Sequence, residues 1–380
     1  MQLLSFNFLI YTYAGIWRPV EWTSTCAKLL YNIFTSVILF LEYFLGLTQF
    51  LDILFVIETV DEFVANSLMF ASIVIVCSKA TIIILRRESI INLVQTLLTA
   101  PCKPRNRDEV IIQTKFDNFI RSWSLRYFLL AMSSLTSVTI GSVMNVMHGI
   151  LPYRVWLPYD LNVPTVFWSI SIQQIITLIF ATIINVGTET LVFGLFLQTC
   201  AQLEIFENRM YKLVTGNTTT ESSLASPNKK KKTISEHIQH HLSIYKYAKT
   251  VNVIFNQVLF VQFFGSILIL CTNVFYMSAH INESQTATLL MYTICMFVQI
   301  YIYSWSGNEV ILKSTNIGDS IYHLDWTSLS VNEKKELWMI MMRSTIPIKF
   351  TSSFLITLSL QTYSNILKTS YSAFNLLQQS

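Results

Sequence analysis

The stretch "TATLLMYTICMFVQIYIYSWSGNEV", Thr286 to Val310, decides the class of this fold. Residues 286–306 carry no charge and are mostly apolar, and a helix needs about 20 such residues to cross the hydrocarbon core of a bilayer. The apolar run then ends abruptly at Gly307, Asn308 and Glu309. We therefore predict a membrane-spanning helix that leads directly into a polar segment.

The composition of the whole chain agrees with this interpretation. Of its 380 residues, 52% are hydrophobic and only 13% are charged, whereas soluble domains carry about 25% charged residues. Seven segments are long and apolar enough to span a membrane: 28–50, 64–85, 127–147, 167–187, 253–275, 286–306 and 348–377. The predicted fold class is an all-α membrane protein, with residues 1–380 forming a single domain of seven transmembrane helices.

The distribution of cationic residues predicts how this domain is oriented. Of the 26 lysine and arginine residues, 23 lie in the N-terminal segment or in the connections 86–126, 201–249 and 307–349. The connections on the opposite side contain Arg154 alone. Because cations beside spans are retained in the cytoplasm, the N-terminus is expected to be cytoplasmic and the C-terminus extracellular.

Three segments on the cation-rich side are predicted to extend the spans as helices. Residues 188–213 continue the fourth span without a proline, 234–252 begin the fifth span early, and 307–347 follow the sixth. Within the last segment, the capping-box pattern Ser330-x-x-Glu333 predicts the start of a second helix, which ends before Pro347. Between the first two lies 216–233, whose Gly, Ser, Thr and Pro content and lysine run predict a flexible loop. The extensions carry apolar stripes, so we expect a cytoplasmic layer that packs within and between subunits.

The last span differs from the others by a polar stripe. Residues 361, 365, 368, 372, 375 and 379 are spaced at helical intervals, and they are Gln361, Asn365, Lys368, Ser372, Asn375 and Gln379. Polar side chains in a membrane face water or other helices. A water-filled pore and hydrogen bonding between helices of one subunit both explain the stripe, and at Leu376 a leucine ring from several subunits would form a constriction.

The C-terminal third also resembles a known family. The segments "YIYSWSGNEVILKSTNIGDSIYHLDW" (301–326), "MMRSTIPIK" (341–349) and "LQTYSNILKTSYSAFNLL" (360–377) resemble those of the insect odorant receptors in order and spacing. The residues that carry the match are Gly307, Asn308, Glu309, Ser314, Tyr322, Trp326, Arg343, Pro347, Tyr363, Tyr371 and Phe374. The first two thirds resemble the family by architecture more than by motif.

This resemblance implies an odorant-gated, non-selective cation channel that forms a heterotetramer with a shared co-receptor. It implies a location in the plasma membrane of an olfactory sensory neuron dendrite. Extensions of spans four to seven would form an anchor domain, with Gly307, Asn308, Glu309, Ser314, Tyr322 and Trp326 in assembly roles. The end of span seven would line the pore, with the gate at Leu376 and Ser380, where the serine departs from the apolar residue of the co-receptor.

Ligand pockets of the family lie in the outer half of the bundle, between spans two to six. By similarity, small, polar and apolar residues at this depth are the candidates: Met69, Phe70 and Ile73; Ser137, Gly141, Asn145 and His148; Trp168, Ser171 and Ile175; and Met291, Tyr292 and Cys295. Such a pocket would bind a small volatile molecule mostly by burial. Asn145, His148 or Tyr292 would supply a hydrogen bond.

Other functional classes are less consistent with the sequence. The spacing of His237, His240 and His241 is like that of metal ligands, yet no carboxylate or thiol completes a site, so we expect a solvated helix face. No enzyme, cofactor, metal or nucleic-acid partner is expected. A transporter would show internal repeats and Gly/Pro-broken spans, and a metabotropic receptor would show the opposite charge asymmetry. The nearest alternative is a gustatory receptor channel of the same superfamily, and the Gly-Asn-Glu block favours the odorant branch.

Overall fold

The computed structural model describes residues 4–160, 163–216, 227–279, 286–326, 329–353 and 356–379, and this part of the chain is almost entirely helical. In order, its elements are α1 (Ser5–Tyr13), α2 (Thr25–Phe55), α3 (Val60–Leu85), α4 (Arg87–Leu98), α5 (Arg107–Met147), α6 (Pro164–Gly216), α7 (Pro227–Ala279), α8 (Thr286–Tyr322), α9 (Val331–Ser344), β1 (Thr351–Ser352), β2 (Ile356–Thr357) and α10 (Leu360–Gln379).

Among the described residues, six helices are long and apolar enough to cross a membrane, namely α2, α3, α5, α6, α7 and α8. The seventh predicted span corresponds to α10, whose 20 residues are sufficient in length. The polar stripe of α10 makes this helix less hydrophobic than the others. The predicted class, an all-α bundle of seven long helices, is the observed one.

Helix α6 lies at the centre of the bundle. It begins with Pro164, a residue whose fixed φ suits the first helical turn, and it runs for 53 residues to Gly216 without a break, roughly 80 Å at 1.5 Å per residue. From Ile184 to Phe206 nearly all side chains are buried, as expected for a helix surrounded by others. Helices α1, α2, α3, α5, α7 and α8 all pack against it.

Two short helices were not predicted from the sequence. Helix α1 has only 9 residues, yet Tyr11 within it is fully buried. A Cβ added at Gly187 of α6 would lie 3.1 Å from the Tyr11 ring, so the glycine allows the close approach. Helix α4 carries Arg87, whose guanidinium lies 5.3 Å from the ring centre of the buried Trp17. Both helices are too short for a spanning pattern, and packing against the bundle stabilises them.

The structure differs from the sequence prediction before the last helix. The predicted span began at residue 348, whereas α10 begins at Leu360 and is preceded by a small antiparallel hairpin in which Thr351 lies opposite Thr357. Asn252 of α7 accepts a hydrogen bond from the Thr351 backbone N–H (2.8 Å) and donates one to its hydroxyl (3.2 Å). Pro347 cannot continue α9 into this segment, and the α7 asparagine satisfies polar groups that a helix would have satisfied internally.

The connections on the cation-rich side are also partly helical. Helix α7 begins at Pro227, within the predicted loop 216–233, while residues 217–226 of that loop lie outside the described residues. Helix α9 begins with a complete capping box, in which Ser330 and Glu333 each bond the other's backbone N–H. The helix start predicted from the Ser-x-x-Glu pattern is therefore present.

Candidate functional site

Helices α3, α5 and α8 meet at the depth of the predicted ligand residues. The hydroxyl oxygens of Tyr292 on α8 and Ser72 on α3 are 2.7 Å apart and share a hydrogen bond. One turn further along α8, the Cys295 sulfur lies 3.9 Å from the Leu130 carbonyl oxygen of α5. Ile73, beside Ser72, is buried. Two polar contacts therefore join the three helices at this depth.

The other predicted ligand residues fall into two groups. Ser171 is buried, and the half-buried members are Met69, Phe70, Ser137, Asn145, Ile175 and Met291. Three residues are exposed instead: Gly141, His148 and Trp168. A Cβ added at Gly141 would meet no atom within 4 Å. In the single chain these three lie on the outer surface and do not contribute to its interior.

The α5–α6 connection closes the end of the bundle that lies opposite the cation-rich side. Arg154 in this connection forms an ion pair with Glu62 of α3 at 2.5 Å and lies 3.9 Å from Asp52 of α2. The backbone N–H of Trp156 donates to the Thr48 carbonyl of α2 at 3.1 Å. This connection, whose only predicted site residue is His148 at its start, is thus fixed across α2 and α3.

A buried ion pair lies deeper in the bundle. The Lys79 ammonium on α3 contacts the Glu189 carboxylate on α6, with the two side chains 0% and 2% exposed. The ammonium also donates to the Asn185 side-chain oxygen at 2.6 Å. Gln299 of α8 donates its amide N–H to the same Glu189 oxygen. Lys79 and Glu189 lie on different helices, 110 positions apart in the chain, so sequence spacing does not reveal the pair.

The polar stripe of α10 faces away from the rest of the chain. Gln361, Asn365, Lys368 and Ser372 are all exposed, and Asn375 is half-buried. On another side of the helix, Ile366 and Ser370 are buried. Leu376 and Gln379 belong to α10, but their side chains, and Ser380 altogether, lie outside the described residues.

The junction between α8 and the hairpin explains the glycine of the Gly-Asn-Glu block. A Cβ at Gly307 would lie 2.6 Å from the Leu358 Cβ and 2.8 Å from the Leu358 carbonyl oxygen, so only glycine fits without displacement. Ser314, two turns further, accepts a hydrogen bond from the Ile348 N–H at 3.0 Å. Asn308 and Glu309 are half-buried, whereas Tyr322 and Trp326 are exposed.

The three histidines of α7 are buried, so the predicted solvated face was wrong. His237, His240 and His241 are at most 7% exposed. His240 contacts Arg209 of α6 through Nδ1 and the Gln202 side-chain oxygen through Nε2, both at 3.1 Å. Arg209 also donates to both carboxylate oxygens of Glu109, at 3.1 and 2.8 Å. Periodicity indicated which residues share a face, but the neighbouring α6 covers that face.

Known proteins share both the sequence pattern and the fold. A family model described as "7tm Odorant receptor" matches residues 59–371. Odorant receptor 10 of Aedes albopictus is 25% identical over 280 residues, which cover 70% of this chain and 71% of the relative. Odorant receptor 46a, isoform A, of Drosophila melanogaster is 26% identical over 283 residues, covering 73% and 72%.

The fold is similar to that of a solved insect receptor. The olfactory receptor OR5 from Machilis hrabei superposes with a TM-score of 0.86, and its complex with eugenol with 0.85, at 15% and 14% identity. Both comparisons cover 98% of this chain and 96% of that receptor chain. Likeness at this level of identity establishes the fold, and the family model covers well over half of the sequence. The chain belongs to the seven-transmembrane odorant receptor family of insects.

Proposed function

We propose that this chain is the odorant-tuned subunit of a ligand-gated cation channel, that it binds small volatile organic molecules inside the outer half of its bundle, and that it acts with a co-receptor subunit. The observation that carries the proposal is the Tyr292–Ser72 hydrogen bond. Tyr292 is one of the ligand residues predicted from the family resemblance, and Ser72 is adjacent in the chain to another, Ile73. Odorants bind this family of receptors, and the Machilis hrabei receptor OR5 was solved with eugenol.

The proposed ligand site combines apolar walls with few polar groups. Ile73 and the half-buried Met69 and Met291 would contribute apolar contacts, worth about 0.8 kcal/mol for each methylene group of ligand buried. The hydroxyl groups of Tyr292 and Ser72 would orient the ligand through hydrogen bonds. A site of this kind discriminates ligands mainly by chain length and shape.

The proposed pore follows from the exposed stripe of α10. Because Gln361, Asn365 and Ser372 are exposed in the single chain, the reading in which they bond other helices of the same subunit loses support. In a tetramer these residues would face the central axis, with the constriction at Leu376 and Ser380. The basic side of the chain, from α6 to α9, would lie in the cytoplasm as the anchor, and the receptor would reside in the plasma membrane of the sensory dendrite.

A continuous contact path supports coupling between the two sites. Helix α8 carries Tyr292 and, further along, Tyr301, whose ring lies 5.6 Å from that of Tyr363 on α10. A ligand that binds the open arrangement more tightly would shift the equilibrium towards it. The displacement of α8 would then reach the pore helix through this aromatic pair.

The decisive experiment is a whole-cell recording from cells that express this chain with or without the co-receptor during application of an odorant panel. We expect a fast inward cation current that requires both subunits and persists when G proteins are blocked. A response abolished by the blockade would refute the channel mechanism. A current that is unchanged without the co-receptor would refute the proposed assembly.

A further inference from the structure

Tyr153, in the connection between α5 and α6, is held in place by a buried glutamine. Gln174 of α6 is fully buried. Its side-chain oxygen accepts a hydrogen bond from the Tyr153 backbone N–H at 3.0 Å, and its amide donates to the Tyr153 backbone oxygen at 3.1 Å. This reciprocal pair fixes the residue as a neighbouring strand would. The backbone of Tyr153 is therefore held in a defined position at this end of the bundle.

The hydroxyl group of Tyr153 lies inside the bundle. Its oxygen is shut off from solvent and makes no well-formed hydrogen bond within the described part of the chain. Its polar neighbours are the hydroxyl of Ser142 on α5 and, at longer range, that of Tyr292 on α8. Burial raises the pKa of Tyr153 to about 12, so the group keeps its proton and remains a donor at physiological pH. Buried donors generally have an acceptor.

The surroundings of this hydroxyl coincide with the proposed ligand site. Ser142 lies three positions before the candidate Asn145 on α5, and Gln174 lies beside the candidate Ile175 on α6. Tyr292 is itself bonded to Ser72. Tyr153 thus stands where α5, α6 and α8 converge, although the connection that carries it has no helical periodicity from which its direction could be predicted.

We propose that Tyr153 is a further ligand-binding and specificity-determining residue, which donates a hydrogen bond to an oxygen atom of the odorant, with Gln174 as its positioning residue. The inference rests on the ligand site proposed above and narrows its ligand class. The favoured ligands are volatiles that combine an apolar body with one hydrogen-bond-accepting oxygen, such as ketones, aldehydes and esters. Hydrocarbons of the same shape are disfavoured because they leave the buried donor without an acceptor.

The test compares pairs of ligands that differ at a single atom. Suitable pairs are acetophenone with α-methylstyrene and 2-heptanone with 2-methyl-1-heptene, in which a carbonyl oxygen replaces a methylene group. Dose–response curves are recorded from the full chain expressed with the co-receptor. The variant Tyr153→Phe removes only the hydroxyl, and Tyr159→Phe is the matched control, since Tyr159 belongs to the same connection and is 68% exposed.

In the parent receptor we expect the ketones to be more potent than their alkene partners. Tyr153→Phe should raise the half-effective concentration of the ketones about three- to tenfold, the value of one hydrogen bond, and leave the alkenes unchanged. Tyr159→Phe should change neither. Gln174→Leu should reduce the ketone-to-alkene potency ratio as Tyr153→Phe does, which a general loss of folding would not do. Surface labelling shows how much receptor each variant delivers.

Several results would overturn the inference. If Tyr153→Phe shifted the half-effective concentrations of ketones and alkenes equally, the hydroxyl would have a structural role, as a partner of Ser142, and no role in ligand binding. A receptor that responds to alkenes but to no ketone would exclude the ligand class. In both cases a co-receptor-dependent current persists, so the proposed function stands while this inference fails. If the chain reaches the cell surface but gives no co-receptor-dependent current with any volatile, both the proposed function and this inference are refuted.

Discussion

Replacing Lys79 with methionine tests how much stability the bundle loses when the buried Glu189 carboxylate is left without its cationic partner. Both charged groups are almost fully shut off from solvent, so neither is screened. Removing one partner of such a pair costs about 3 to 5 kcal/mol, because the remaining charge is left uncompensated. After the substitution Glu189 still accepts the amide N–H of Gln299. We therefore expect a loss of about 3 kcal/mol, roughly a hundredfold change in the folding equilibrium.

The assay is the thermal stability of the detergent-solubilised receptor, together with surface labelling of intact cells. Lys79→Met should lower both. The double variant Lys79→Met/Glu189→Met removes both charges and should recover most of the loss, since apolar replacements of whole buried pairs are often neutral.

The matched control for this experiment is Lys115→Met. The Lys115 side chain is 72% exposed and lies 3.7 Å from Glu204, and exposed pairs contribute at most about 1 kcal/mol. The control should therefore behave like the parent. If Lys79→Met alone were as stable as the parent, or if the double variant were no better than the single one, the argument that the loss comes from an uncompensated buried charge would be refuted.

Three further predictions concern the contact of Gly307 with Leu358, the proposed gate at Leu376, and the ion pair between Arg209 and Glu109. Gly307→Ala should destabilise the receptor by about 1 to 3 kcal/mol through overpacking and reduce surface labelling. The control Gly141→Ala, which has open space around the added Cβ, should do neither. Equal surface labelling of the two variants would contradict the close-contact argument. Leu376→Ser should raise the resting current of cells that also express the co-receptor, and an unchanged resting current and ion selectivity would exclude the proposed gate. Arg209→Lys removes the bidentate contact with Glu109 and should lower the free energy of unfolding by about 2 kcal/mol. An unchanged melting temperature would show that the contact is dispensable.

The fold was largely predictable because it depends on local patterns. Six of the predicted spans lie within helices that are long and apolar enough to cross a membrane, since the requirement for about 20 apolar residues is imposed by the bilayer itself. The capping box at Ser330 and Glu333 is equally local and was read directly from its spacing. The start of the last span was misplaced because the hydroxyl-rich segment after Pro347 is stabilised by Asn252, about a hundred positions earlier in the chain.

The candidate site was less predictable because its contacts link distant segments. Lys79 and Glu189 are unremarkable singly, and only their proximity across α3 and α6 turns two costly buried charges into a pair. The histidines of α7 are a second example, since their helical spacing shows that they share a face but not that α6 covers it. Tyr153 lies in a connection without periodicity, and its backbone is held by Gln174, which lies 21 positions later in the chain.

Three positions on α8 each contact a different part of the bundle. Tyr292 bonds α3, Gln299 bonds the ion pair of α3 and α6, and Gly307 permits contact with the hairpin that leads into α10. These positions are separated by about two helical turns each, so a single helix touches the proposed ligand site, the buried charges and the segment that leads into the proposed pore helix. In the gating mechanism proposed above, a ligand that displaces α8 would alter all three contacts together. The change in the free energy of these contacts between the proposed closed and open arrangements would then be part of what ligand binding has to offset.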